Sequence, residues 1–129
     1  MSYYFRTTLI AQDFEAAIAY VTEALKKGGF GIVTEINMQA TLKQKINADI
    51  RKYHILGACN PKFAYEALLL EDKVGLLLPC NVVIEESETG EIIVSAIDPV
   101  SALLMTENKA LVSVAEEVQQ KLRDVIGNL

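Results

Sequence analysis

Each of the three prolines in this chain interrupts an apolar run, and two of them stand directly behind a helix-capping residue, as Asn60-Pro61 and Asp98-Pro99. Proline lacks an N–H and holds a φ that suits the first turn of a helix, while Asn or Asp just ahead of it accepts from the exposed N–H groups of that turn. Each pair therefore predicts a junction at which a strand ends and a helix begins. The third, Pro79, lies within the apolar region Val74–Glu86. There the missing donor predicts a bulge, a bend or an edge position just before Cys80.

The remaining pattern fills in around these junctions. Ser2–Ile10, rich in aromatic and β-branched residues, reads as a strand. Asp13 offers an N-cap for a helix with Phe14, Ala17, Ile18, Val21, Ala24 and Leu25 on one face, stopped by Gly28-Gly29. Phe30, Ile32, Thr34, Ile36 and Met38 alternate with other residues at the period of a strand with one buried face. Thr41 and Gln44 have the spacing of a capping box for a short helix carrying Leu42, Ile46 and Ile50. Tyr53–Ala58 is the next strand, and a helix from Pro61 to about Leu70 follows it. Val74–Glu86 and Glu91–Ile97 read as strands joined by the turn Ser87-Glu88-Thr89-Gly90. Pro99 opens a short helix through about Met105. From Asn108 an amphipathic helix places Leu111, Val114, Ala115, Val118, Leu122, Val125 and Ile126 on one face, with Glu117 and Lys121 at ion-pairing spacing on another.

Strands interspersed with helices, closing with an antiparallel hairpin and a covering helix, predict an α+β fold. At 129 residues and 51% hydrophobic, one domain over residues 1–129 can build a core without disulfide or metal staples. The net charge of −5 argues against nucleic acid as a partner, since phosphate contacts need a basic surface. Lys43, Lys45, Arg51 and Lys52 form the one basic stretch, partly offset by Asp49, and read as a solvated helix face. No apolar run approaches the length of a membrane span, and residues 1–8 lack the pattern of a secretory leader, so a cytoplasmic protein is expected.

Chemistry-bearing residues concentrate in two segments that nearly repeat, Cys59-Asn60-Pro61 and Pro79-Cys80-Asn81, which hold both cysteines. In a reducing compartment such cysteines are free thiols, ligands or transient redox partners. Cys59 would face a helix N-terminus, which favours thiolate, or else be a small core residue; Cys80, in phase with Val82 and Ile84, also reads as a core residue, so Cys59 is expected to be the more reactive. If the strand ends are neighbours, the two thiols could share zinc or another thiophilic metal such as copper(I), or cycle to a disulfide. His54 has the opposite strand parity to Cys59. Asn60, Asn81 and Asp98 are candidate polar groups around such a site, although a capping role explains Asn60 and Asp98 more simply. Gly28, Gly29 and Gly31 lie between a helix and a strand, the reverse of a phosphate-binding order. The chain has no Gly-x-Ser-x-Gly elbow, no His-Glu-x-x-His and no paired-carboxylate motif, which leaves enzymatic activity undecided.

Ile55-Leu56-Gly57-Ala58-Cys59-Asn60-Pro61, Leu76-Leu77-Leu78-Pro79-Cys80-Asn81-Val82-Val83 and Ala96-Ile97-Asp98-Pro99, in this order, resemble the prokaryotic domain of unknown function 302 family. Gly29-Phe30-Gly31 and Ala40-Thr41-Leu42-Lys43-Gln44-Lys45 extend the resemblance over nearly the whole chain. It implies a two-layer sandwich with a curved, mostly antiparallel sheet covered by helices, of TATA-binding-protein-like architecture, and a tendency to homodimers, with no established reaction. The expectation is a small-ligand or metal-binding module at Cys59, Asn60, Cys80, Asn81 and Asp98, with Cys59 and Cys80 as metal ligands. The alternatives are a structural or regulatory homodimer, or a cysteine-dependent enzyme or redox protein.

Overall fold

The computed structural model describes residues 2–10 and 13–129. Strands β1 (Tyr4–Leu9), β2 (Gly31–Asn37), β3 (Tyr53–Cys59), β4 (Cys80–Glu86) and β5 (Ile92–Ile97) form an open sheet in the order β1-β5-β4-β3-β2, with every neighbouring pair antiparallel. The helices are α1 (Phe14–Lys27), α2 (Met38–Ile46), α3 (Pro61–Leu70), α4 (Pro99–Leu103) and α5 (Lys109–Gly127).

Register explains where the core lies. Leu56 pairs with Val82 and Val82 with Ala96, Ala58 pairs with Cys80, and Ile84 pairs with Val94, so these side chains share one face of the sheet. All of them are buried, and they pack in one cluster with Phe14, Ala17, Val21 and Leu25 of α1, Phe63 and Ala67 of α3, and Leu111, Ala115, Val118, Leu122 and Ile126 of α5. The apolar stripes predicted for α1 and α5 are the ones buried. Truncating a fully buried leucine such as Leu122 to alanine should cost about 2–5 kcal/mol.

Local chemistry sets the helix ends. Asp13 accepts from Ala16 N at 2.7 Å. At the other end of α1, Phe30 N donates to Leu25 O and Gly29 N to Lys26 O, with Gly29 at φ 92°, a left-handed stop that only glycine adopts without strain. Both predicted cap-proline junctions form, with Asn60 and Asp98 as N-caps and Pro61 and Pro99 in the first turns of α3 and α4.

Three expectations need correction. The alternation from Phe30 to Met38 does not bury one face of β2, because a bulge between Ile32 and Thr34 shifts the phase: Ile32 lies opposite Ala58 on the helix side, whereas Ile36 lies opposite Ile55 on the open side. As an edge strand, β2 leaves Val33 60% and Ile36 43% exposed. Helix α2 begins at Met38 with Asn37 accepting from Ala40 N at 2.9 Å, so Thr41 and Gln44 lie inside it and form no capping box. Finally, Val74–Leu77 coils into a 3-10 turn and the strand starts only at Cys80. Pro79 has no donor to give the ladder and stands immediately ahead of it.

Candidate functional site

The two cysteines meet at one end of the sheet. Cys59 closes β3 and Cys80 opens β4, and because Ala58 is the register partner of Cys80, the cysteines are diagonal neighbours on adjacent strands. Strand parity aims Cys80 at the helix layer, while Cys59 shares the parity of Ile55 and Gly57 on the open face. Both nevertheless border one cavity of about 220 Å³ beneath the first turn of α3, together with Asn60. Its other walls are Val33, Ala58, Phe63, Ala64, Leu78, Pro79 and Val118, so the surroundings are overwhelmingly apolar.

This setting separates the two thiols. Cys80 is buried, and burial, reinforced by the neighbouring Cys59, pushes its pKa from 9.0 up to about 12. It is a neutral thiol throughout the physiological range. Cys59 is only partly buried and stands next to the α3 cap. Asn60 Oδ1 accepts from Phe63 N at 3.1 Å and is thereby committed to the cap, while its Nδ2 lies 3.6 Å from where a Cβ at Gly29 would stand.

The other expected site residues lie elsewhere. Asn81 follows Cys80 on β4 but faces the opposite way, lying opposite Gly57 on the open face. Asp98 is buried, yet its carboxylate is spent on structure. Oδ1 accepts from Val100 N at 2.9 Å and Ser101 N at 3.4 Å, and both oxygens accept from Gln119 Nε2. Neither residue lines the cysteine cavity. His54 pairs with Glu35 at 3.2 Å, and Lys43 pairs with Asp49 at 2.9 Å. Among the described residues no group of three or more His, Cys, Asp or Glu side chains is placed to hold a metal ion, so the expected two-thiol centre has no third protein ligand.

A larger hollow of about 440 Å³ opens on the helix-free face of the sheet, lined by Tyr3, Tyr4, Arg6, Tyr53, Asn81, Val83, Glu85, Ile93, Ser95, Ala96 and Ile97. Sequence reasoning missed it. The signal was present in the alternation of β1 and β4, where Tyr4, Arg6, Asn81 and Glu85 occupy the phase opposite to the core.

Among the described residues no helix is long and apolar enough to cross a membrane. Residues 5–129 match the family model described as Domain of unknown function DUF302. The crystal structure of an uncharacterized conserved DUF302 protein from Bacillus stearothermophilus superposes with a TM-score of 0.89 at 23% sequence identity, covering 98% of each chain. At that identity the likeness establishes the fold. No curated protein matches the chain significantly.

Proposed function

The chain belongs to the DUF302 family, and since membership carries no reaction with it, we propose from the cavity itself that the protein is a binding module for a small, uncharged, largely apolar molecule. The observation that carries this reading is the convergence of Cys59, Asn60 and Cys80 on one apolar cavity of about 220 Å³. A dry cavity of about 150 Å³ is enough for a benzene-sized guest, whereas nucleotides and larger cofactors need several hundred. Cys59, Asn60 and Cys80 are the polar members of its lining.

A neutral guest fits better than a metal. A thiophilic ion would find two sulfurs and, among the described residues, no third His, Cys, Asp or Glu ligand. A cysteine nucleophile is also less well supported, because His54 is engaged with Glu35 and does not line the cavity. Two free thiols suit a reducing, cytoplasmic setting.

Toluene titration followed by methyl NMR tests the reading. Shifts should concentrate at Ala64, Leu78 and Val118 and should vanish in Ala64→Leu, which adds bulk to the cavity wall and replaces neither cysteine. Absence of saturable shifts, or equal shifts in the filled variant, would reject it. Native mass spectrometry with zinc tests the metal alternative on the same samples, using Cys59→Ser and Cys80→Ser.

One observation favours a second reading, that of a homodimer. Leu69, Leu76, Leu104 and Met105 are 69%, 84%, 50% and 71% exposed. Asn108 Nδ2, donating to Leu70 O at 2.9 Å, ties the segment after α4 to the end of α3 and gathers Leu69, Leu104 and Met105 at one corner. Exposed apolar groups so clustered mark contact surfaces. Light scattering should give twice the chain mass, and Leu69→Glu with Met105→Glu should return it to that of one chain. A monomer at high micromolar concentration would exclude this reading.

A further inference from the structure

The hollow on the helix-free face has the composition of a second, chemically different site. At about 440 Å³ it falls within the size range of small-molecule pockets. Residues from β1, β5, β4 and β3 reach it because the register aligns them: Arg6 lies opposite Ser95 and Ser95 opposite Val83, while Ile93 lies opposite Glu85 and Glu85 opposite Tyr53.

Its charges do not cancel. Glu85 Oε1 accepts from Arg51 Nη2 at 2.9 Å and from Arg51 Nε at 3.0 Å, so that carboxylate is already neutralised from outside the hollow. The ion pairs formed among the described residues leave Arg6 without an acidic partner. In a chain of net charge −5, this hollow retains one uncompensated guanidinium. Guanidinium presents a planar fork of donors that matches a carboxylate.

The rest of the lining is aromatic and neutral. Tyr3 and Tyr4 stand edge to face with ring centroids 5.0 Å apart, and the Tyr53 ring is held from outside by the Arg51 guanidinium 5.0 Å from its centroid. Arg51 thus contacts both Glu85 and Tyr53, which leaves an aromatic wall and a floor whose one carboxylate is paired. Asn81 and Ser95 add hydrogen-bonding groups between them. Rings favour rings in offset or edge-to-face contact.

We propose that this hollow binds a small molecule made of one planar aromatic ring and one carboxylate, with the ring against the tyrosines and the carboxylate on Arg6. The site is independent of the cysteine cavity.

Benzoate is the probe, followed by amide NMR on the intact protein, with benzamide as its neutral counterpart. Saturable shifts at Arg6, Ser95 and Val83 are expected with benzoate, and benzamide should bind at least about tenfold more weakly, the cost of losing a charge-assisted pair. Arg6→Gln should weaken benzoate by a similar factor while leaving benzamide unchanged, and Arg6→Lys should restore part of the loss. Ala64→Leu should leave benzoate binding intact, which separates this site from the cysteine cavity. Equal affinity for benzoate and benzamide in the wild-type protein, or shifts that map to the cavity beneath α3, would overturn the proposal even if the Arg6 variants failed to fold.

Discussion

Gln119 Nε2, on α5, donates to both carboxylate oxygens of Asp98, at 3.1 Å each. The same carboxylate caps α4, so one buried acid joins the end of β5, the start of α4 and the middle of α5. Asp98→Ala should therefore cost about 2–3 kcal/mol, combining a lost cap with an unpaired amide. Asp98→Asn, which keeps one acceptor oxygen, should cost less. Urea denaturation of the two variants, with Gln119→Ala completing a double-mutant cycle, should give a coupling of about 0.5 kcal/mol or more. Additive losses would show that Asp98 serves as a cap alone.

The raised pKa of Cys80 makes stability depend on pH in a defined direction. Unfolded, the thiol releases its proton near 9.0; folded, it holds it to about 12. Below 9 the contribution is fully present. Between these values the native state binds the extra proton, so stability falls as pH rises, by at most about 1.4 kcal/mol per pH unit. Denaturation at alkaline pH should show a slope steeper by one proton in wild type than in Cys80→Ala. Parallel slopes would mean that Cys80 ionises as readily folded as unfolded. Alkylation of the native protein should correspondingly mark Cys59 first, and Cys80 only on unfolding.

Gly57 should resist any side chain. A Cβ there would collide with Thr34 Oγ1 and lie 2.8 Å from Pro79 Cγ, because these residues close over it from β2 and from the segment ahead of β4. Gly57→Ala should destabilise by about 1–3 kcal/mol. Adding Thr34→Ala should recover part of that loss and no more, since Pro79 remains. Thermal melts of the single and double variants distinguish this steric cause from a general preference for glycine.

At the start of α2, Asn37→Ala should release the first turn and cost about 1 kcal/mol, whereas Thr41→Ala should be nearly neutral. Helix α2 contributes no fully buried side chain, so the effect is expected to be local. Hydrogen exchange at Ala40 is the appropriate measurement: faster in the first variant and unchanged in the second.

The parts of the fold legible in the sequence were those governed by neighbours in sequence. The caps at Asp13, Asn60 and Asp98 and the stripes of α1 and α5 act within a turn or two, so local pattern specifies them. Where partners from elsewhere in the chain decide, reading failed. Nothing local reveals the phase shift at Val33, which is defined against β3, or that Asn37 would cap α2 while Thr41 offered an equally good cap motif. The site divides the same way. The pattern placed Cys59 and Cys80 at strand ends, while the β3–β4 register makes those ends neighbours, and the commitment of Asp98 to Gln119 depends on a residue 21 positions further along. The hollow around Arg6 draws on four strands, and no single segment announces it.

The pairing of β1 with β5 has a consequence during synthesis. Strands β2 to β5 each lie beside the next in sequence and can zip up as the chain lengthens, but Tyr4 pairs with Ile97 and Leu9 with Ile92. Of these five strands β1 is thus made furthest ahead of its partner, and until Ile97 emerges its backbone donors and acceptors have no strand of this sheet to pair with. A nascent chain stalled between β4 and β5 would expose that strand and the bare flank of β4 together, the two edges that β5 later joins.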